Sequence, residues 1–267
     1  MKKRTAFIGV ILSLIPFGHP LIIKTGVLLS SSAFMLSLPE KVNAGSVDFY
    51  FNRAYKKAEN GDHYGAISDY TKVIEIDPND VDAYFNRGIS KDEIGDNFGA
   101  ISDYTKVIEF NPNDSEAYYN RGYIKNELKD YYGAISDYTK AIEINPNYEN
   151  AYYNRGLVKY ELKDYYGAIS DSTKAIELDP NDADAYLNRG LAKHDLEDYY
   201  GAISDYTKAI EINPSDELAY SNRGVTKGIG FNDDEGACED FKKAASLGSQ
   251  YRIDWLDTSE GKWCKDM

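Results

Sequence analysis

The residues with the widest chemistry in this sequence are three histidines and two cysteines, and their placement suits neither catalysis nor metal binding. His19 falls in an apolar leader, and His63 and His194 stand at unrelated points of the chain. Cys238 and Cys264 lie 26 residues apart, without the close pairs and histidine partners of a metal site. From sequence they are either a disulfide of an exported chain or one buried and one tail thiol. No glycine-rich loop opens a helix to cradle a phosphate. The Asp-Pro-Asn-Asp stretches at Asp77 and Asp179 lack the alternate acidic ligands, central glycine and distal glutamate of a calcium loop. Turn and helix-capping duty suits them better. Ser-Asp pairs recur at Ser68-Asp69, Ser102-Asp103, Ser136-Asp137, Ser170-Asp171 and Ser204-Asp205. A feature repeated five times is structural, since an active site is needed once. The expectation is therefore no catalytic residue, no metal and no cofactor.

The charges that do recur point to a different chemistry. Arg53, Arg87, Arg121, Arg155, Arg189 and Arg223 stand 34 residues apart. Asp69, Asp103, Asp137, Asp171, Asp205 and Asp240 follow them at almost constant distance. The pattern predicts an Arg–Asp ion pair inside each unit. The functional alternative is a row of guanidinium groups reaching an anionic ligand. Pairing is favoured because a buried guanidinium needs a partner. Breaking one pair is expected to cost about 3–5 kcal/mol where it is buried and far less where it is exposed.

The elements that would hold these residues follow from the same period. Units begin at Val47, Val81, Ser115, Glu149, Ala183 and Glu217, giving 47–80, 81–114, 115–148, 149–182, 183–216 and 217–250. Each reads as two helices. In the third, the first runs from about Glu116 to Leu128, with Tyr118, Gly122 and Lys125 on one face. The second follows the N-cap Asp130 and sets Ala134, Ile135, Tyr138, Ala141, Ile142 and Ile144 on an apolar stripe. Pro146 ends it, as Pro78, Pro112, Pro180 and Pro214 do elsewhere. Gly65, Gly99, Gly133, Gly167, Gly201 and Gly236 recur early in the second helices. They cost about 1 kcal/mol each against alanine, and close approach of a neighbouring helix is the expected reason. The sixth unit has one extra residue near Gly228 and Gly230, and residues 251–267 follow as a tail. Tyr251 to Thr258 is expected to be a short capping helix, because an uncovered repeat end is poorly soluble.

Residues 1–44 form a leader with a basic start, two apolar runs and the small residues Val42 and Ala44. This pattern predicts export with cleavage after Ala44, with an uncleaved N-terminal membrane anchor as the alternative.

These residues resemble the tetratricopeptide repeat family over about three quarters of the chain. Tyr118, Gly122, Ala134, Tyr138, Ala141 and Pro146, with their equivalents in the other units, carry the likeness. The wording Asn-Arg-Gly with Asp-Tyr is similar to the version common in cyanobacteria and other bacteria. Arginine at Arg121 and glycine at Gly133 depart from the usual leucine and glutamate. The resemblance implies an all-α, right-handed superhelical solenoid of six repeats with a C-terminal capping helix, and a scaffold rather than an enzyme. It implies that first helices line a concave groove. One row would be Phe51, Phe85, Tyr119, Tyr153, Leu187 and Ser221, and the next Tyr55, Ile89, Tyr123, Leu157, Leu191 and Val225. An acidic row would be Glu59, Glu93, Glu127, Glu161 and Asp195. Asn52, Asn86, Asn120, Asn154, Asn188 and Asn222 would sit among them to bond a partner's backbone. About half of the aromatics are expected to pack against the next repeat instead. Some relatives grip a carboxylate with lysines and an arginine, but here those places hold Phe51, Tyr119, Glu116 and Asp184.

Charge narrows the partner. The chain is −14 overall and the leader +4, so the body carries −18. That opposes nucleic acid and anionic lipid. All 24 tyrosines lie in the body, which argues for a folded chain. The expected partner is another protein or peptide, as an apolar or basic segment, with membrane contact only through an uncleaved leader. Assembly or maintenance of a membrane or periplasmic complex is the expected setting. A self-assembling scaffold is the alternative, and an enzyme accessory domain a remote one.

Overall fold

The computed structural model describes residues 44–258 and 261–265, so the leader and its cleavage lie outside the described residues. Every element is a helix: α1 (Ala44–Glu59), α2 (His63–Ile76), α3 (Val81–Glu93), α4 (Asn97–Phe110), α5 (Ser115–Glu127), α6 (Tyr131–Ile144), α7 (Glu149–Glu161), α8 (Tyr165–Leu178), α9 (Ala183–Asp195), α10 (Tyr199–Ile212), α11 (Glu217–Phe231), α12 (Asp234–Ser246), α13 (Gln250–Leu256) and α14 (Lys262–Lys265). Odd and even helices up to α12 pair as helix–turn–helix repeats. The described chain forms two units, α1–α6 ending at Ile144 and α7–α14 beginning at Asn145. Within each, successive repeats stack, as the sequence predicts for an all-α solenoid.

Local chemistry sets the helix ends. Proline two residues beyond Ile76, Phe110, Ile144, Leu178 and Ile212 stops each second helix. Between repeats, Asp80, Asp114, Asp182 and Asp216 cap first helices, accepting from backbone N–H groups two or three residues on. Asp77 and Asp179 accept from Asn79 and Asn181, the turn duty expected of them. Asp62, Asp96, Asp130, Asp164, Asp198 and Asp233 cap second helices by accepting from the recurrent glycines. This corrects the expected reason for those glycines. A Cβ at Gly133 would lie 2.1 Å from the Asp130 carboxylate, so the space is kept for the cap and not for a neighbouring helix. The turns before these caps hold Gly61 and Gly95 at positive φ, but Lys129, Lys163 and Glu197 in the later repeats. Each of those side chains costs about 1 kcal/mol in that conformation.

Small residues bring paired helices together. Cβ atoms at Gly122, Gly190 and Gly224 would meet Tyr138, Tyr206 and Phe241. Those three rings are fully buried in the second helices. Beyond α12 the tail turns back. Phe241 packs edge-on to Trp255 of α13, and Cys238 is bonded to Cys264 of α14 with their Cα atoms 5.4 Å apart. The capping helix is one residue earlier at its start and two shorter at its end than the sequence suggests.

Candidate functional site

The structure pairs every repeated arginine with its aspartate. Nε donates to Oδ2 at 2.7–3.0 Å. Nη2 donates to Oδ1 at 2.6–2.7 Å. This is the bidentate fork that suits guanidinium and carboxylate. Two further contacts escaped the sequence reading. Lys57, Lys91, Lys125, Lys159, Lys193 and Lys227 each place Nζ 2.7–2.9 Å from Oδ2 of the same aspartate. They stand four residues after each arginine, a period that could have found them. In addition, Nη1 of Arg87, Arg121, Arg189 and Arg223 donates to Thr71, Thr105, Thr173 and Thr207 of the preceding second helix at 3.0–3.1 Å. The arginine therefore joins two helices of its own repeat and, in these four, ties that repeat to the one before. Its guanidinium also lies over the ring of Tyr84, Tyr118, Tyr152, Tyr186 or Tyr220, one turn earlier. With all this its charge is spent on the fold. For Asp69, Arg53 is the main cause that holds the carboxyl down to about 2. That contribution to stability is present above the ordinary value near 3.8 and is lost as pH falls through about 2.

Two of the three histidines lie among the described residues. His63 opens α2. His194 is buried with Nδ1 2.8 Å from the Thr226 hydroxyl, which itself donates to the Asn222 carbonyl. Nδ1 must then be the donor, and burial lowers the affinity of the ring for a proton.

The first helices present the residues expected to face a partner, and they divide into open and closed members. Within α1–α6, Phe51, Phe85, Tyr119, Tyr55 and Tyr123 are partly exposed, as are Asn86 and Asn120, while Asn52 is exposed. The rings of Phe51, Phe85 and Tyr119 lie 5.4–5.8 Å from Tyr70, Tyr104 and Tyr138. They rest on their own second helix, and Phe51 and Phe85 also belong to apolar clusters that include Ala83 and Ile124 of the next repeat. Glu59, Glu93 and Glu127 are exposed. Asp92 is half-buried beside them, and burial, then Glu93 and Glu127, push its carboxyl up to about 6. Asn86 turns its amide to the carbonyl of Asp82, one turn back on the same helix.

Within α7–α14, Tyr153 and Leu157 are partly exposed and Glu161 and Asp195 exposed, and Tyr160 donates to Asp195 at 2.7 Å. Asn154 is partly exposed and donates to the carbonyl of Asn150. Leu187, Asn188, Leu191, Ser221, Asn222 and Val225 are buried. The expected row is thus closed over its last two repeats. At Ser221 the cover is Arg252 of α13, whose Nε donates to the serine hydroxyl at 2.7 Å. Glu149, in the first turn of α7, is raised to about 7 by burial and then by Asp182. It keeps its proton in the folded chain while the unfolded chain loses it near 4.5, so stability on this account falls as pH rises from about 4.5 to about 7. Glu149→Gln should therefore stabilise the chain near pH 8 by about 1–2 kcal/mol, after allowance for solvent screening, and give nothing near pH 4. Urea midpoints at the two pH values check this.

Among the described residues no helix is long and apolar enough to cross a membrane. Tetratricopeptide repeat signatures match residues 115–148 and 183–216 and, in a second form, 82–114. A further TPR repeat signature matches residues 54–91 and 158–197. No curated protein sequence matches the chain significantly. Among solved structures, a MamA protein is similar, with 30% identity, a TM-score of 0.61, and coverage of 64% of this chain and 93% of its own. MamA residues 41 to the end from Desulfovibrio magneticus RS-1 are 25% identical, with a TM-score of 0.60 and coverage of 67% and 97%. YrrB, described as a TPR protein with an unusual peptide-binding site, shares the fold at 24% identity, with a TM-score of 0.61 and coverage of 74% and 98%. Repeat period, capped helix pairs, glycine-to-tyrosine packing and these matches together place the chain in the tetratricopeptide repeat family.

Proposed function

We propose that this chain is an exported interaction scaffold, not an enzyme, whose first helices hold an apolar or basic segment of another protein. One observation carries the reading. Within α1–α6, the partly exposed rings of Phe51, Phe85, Tyr119 and Tyr123 stand on the same helices as exposed Glu59, Glu93 and Glu127 and half-buried Asp92. Aromatic surface offers contact area at little entropic cost. Clustered carboxylates attract positive charge and speed its arrival. The six repeat arginines each put their charge on an aspartate, which disfavours an anionic ligand. Export is supported by the leader pattern and by the disulfide, which persists in oxidising compartments. Assembly or maintenance of a membrane or periplasmic complex fits such a scaffold.

The test uses two model peptides of equal length, one alternating leucine with lysine and one alternating leucine with glutamate. The basic peptide should bind and the acidic one should not. Tyr119→Ala combined with Tyr123→Ala, both on α5, should abolish the binding while helicity survives. Added salt should slow association more than it speeds dissociation. Equal binding of both peptides, or affinity untouched by the double substitution, would refute the reading.

A further inference from the structure

The repeats tell what the exposed face of the first helix lacks. In α3, α5, α9 and α11, the face turned to the preceding second helix carries a fully buried alanine and an arginine. The alanines are Ala83, Ala117, Ala185 and Ala219, and the arginines each donate Nη1 to a threonine of that helix. Around Ala83 the contact is direct, since it shares an apolar cluster with Val73 and Tyr70 of α2. In α1 the alanine position holds Phe49, which is 56% exposed. Arg53 keeps its fork on Asp69, but among the described residues nothing accepts from its Nη1. Its side chain is 40% exposed, against 13–17% for the other five arginines. Its guanidinium lies over the rings of Phe49 and Tyr50 at 5.0 and 5.2 Å. The C-terminal end of the described chain is treated differently. There α13 and α14 cover α12, with Arg252 buried on Phe241 and the disulfide holding the tail.

We propose that this face of α1 is a docking surface, separate from the groove, for one amphipathic helix of a partner protein. The helix presents a hydroxyl residue opposite Arg53 and a small residue opposite Phe49. The repeats themselves supply the template. A threonine hydroxyl satisfies the equivalent donor four times over, and in α2 the residue two places on, Val73, shares a cluster with Ala83. With phenylalanine in place of alanine, that second residue has to be small. Ala141, Ala175 and Ala209 occupy this place in the later second helices, where α2 has Val73. A second copy docking head to tail does not fit. In its last second helix Lys242 stands where the threonine would be, like-charged with Arg53, and the tail already lies over that helix.

The probe is a labelled peptide of residues 199–213, which contains Thr207 and Ala209 in the required spacing. It is titrated against the full chain by fluorescence anisotropy. Saturable binding is expected, weakened about tenfold by Thr207→Val in the peptide, because a hydrogen bond to a charged donor is lost. Phe49→Asp in the protein should weaken it at least about tenfold. That site is exposed, so helicity should be unchanged, and Tyr119→Ala should leave this binding intact even though it weakens groove binding. Absence of binding to the full chain overturns the proposal, and is the outcome if the leader itself occupies the face. Binding indifferent to both Thr207→Val and Phe49→Asp overturns it as well. So does sedimentation that shows a peptide-free dimer lost on Phe49→Asp, which would assign the face to a second copy.

Discussion

Asp137→Ala should lower the stability of the chain by about 3–5 kcal/mol, among the largest losses available to any single polar substitution in it. The carboxylate is buried and answers two cations at once, the Arg121 fork and Lys125 at 2.7 Å. Removing it strands both charges between helices that remain packed. Arg121→Ala should cost less, about 2–3 kcal/mol, because Lys125 still faces the aspartate while the loss of the stacked, hydrogen-bonded stem is felt. The order of the two is the informative part. Sequence spacing alone treats arginine and aspartate as equal partners, whereas the lysine makes the aspartate the centre. Replacement of Arg121 and Asp137 by leucine and methionine, with Lys125→Met, should restore much of the loss, since replacing buried ionic groups by apolar residues of like volume is often neutral. Denaturant midpoints of the single and combined variants measure all three. If Arg121→Ala proves the more damaging, the lysine contributes nothing and the geometry of the trio has been over-read.

Removing the Cys238–Cys264 bond, by Cys238→Ser with Cys264→Ser, should cost about 3–4 kcal/mol at the C-terminal end. The bond closes a loop of 26 residues in sequence separation and ties α14, a single turn, to α12. Neither α13 nor α14 is long enough to persist by its own hydrogen bonds. The cap therefore depends on the bond and on the burial of Trp255, Leu256 and Arg252 against Phe241 and Cys238. The loss should appear locally. Protease cleavage after Arg252 and a change in tryptophan fluorescence should precede unfolding of α7–α11. Arg252 makes the local character sharp. It is buried with no carboxylate paired to it among the described residues, and burial lowers its hold on the proton to about 10, so it is a liability once the cap loosens. A single global transition at an unchanged midpoint would show that the disulfide does not hold the cap.

Much of this molecule is written in local sequence. A period of 34 residues, proline two places past the first five second helices and aspartate before every second helix fix where helices start and stop, because these signals act within one or two turns. The Arg–Asp ion pair was legible for the same reason: two charges that recur in step, on helices joined by a short turn, are bound to meet. What lay beyond the repeat was not legible. The threonine that receives Nη1 belongs to the previous repeat, 16 residues upstream, and its partnership depends on how repeats stack. The glycine at position 133 looked like room for a neighbouring helix and proved to be room for its own cap, a matter of one carboxylate's direction. Whether Cys238 meets Cys264 rests on the path of the tail, which no spacing rule gives. The same holds for the candidate groove. Its residues share a register in all six repeats, yet Tyr119 stays partly open while Leu187, Asn188 and Ser221 are closed. Periodicity decides which side of a helix a residue occupies. Only the packing of neighbouring repeats and the cap decides whether that side meets solvent, since exposure is set by what lies across the gap and not by the residue itself.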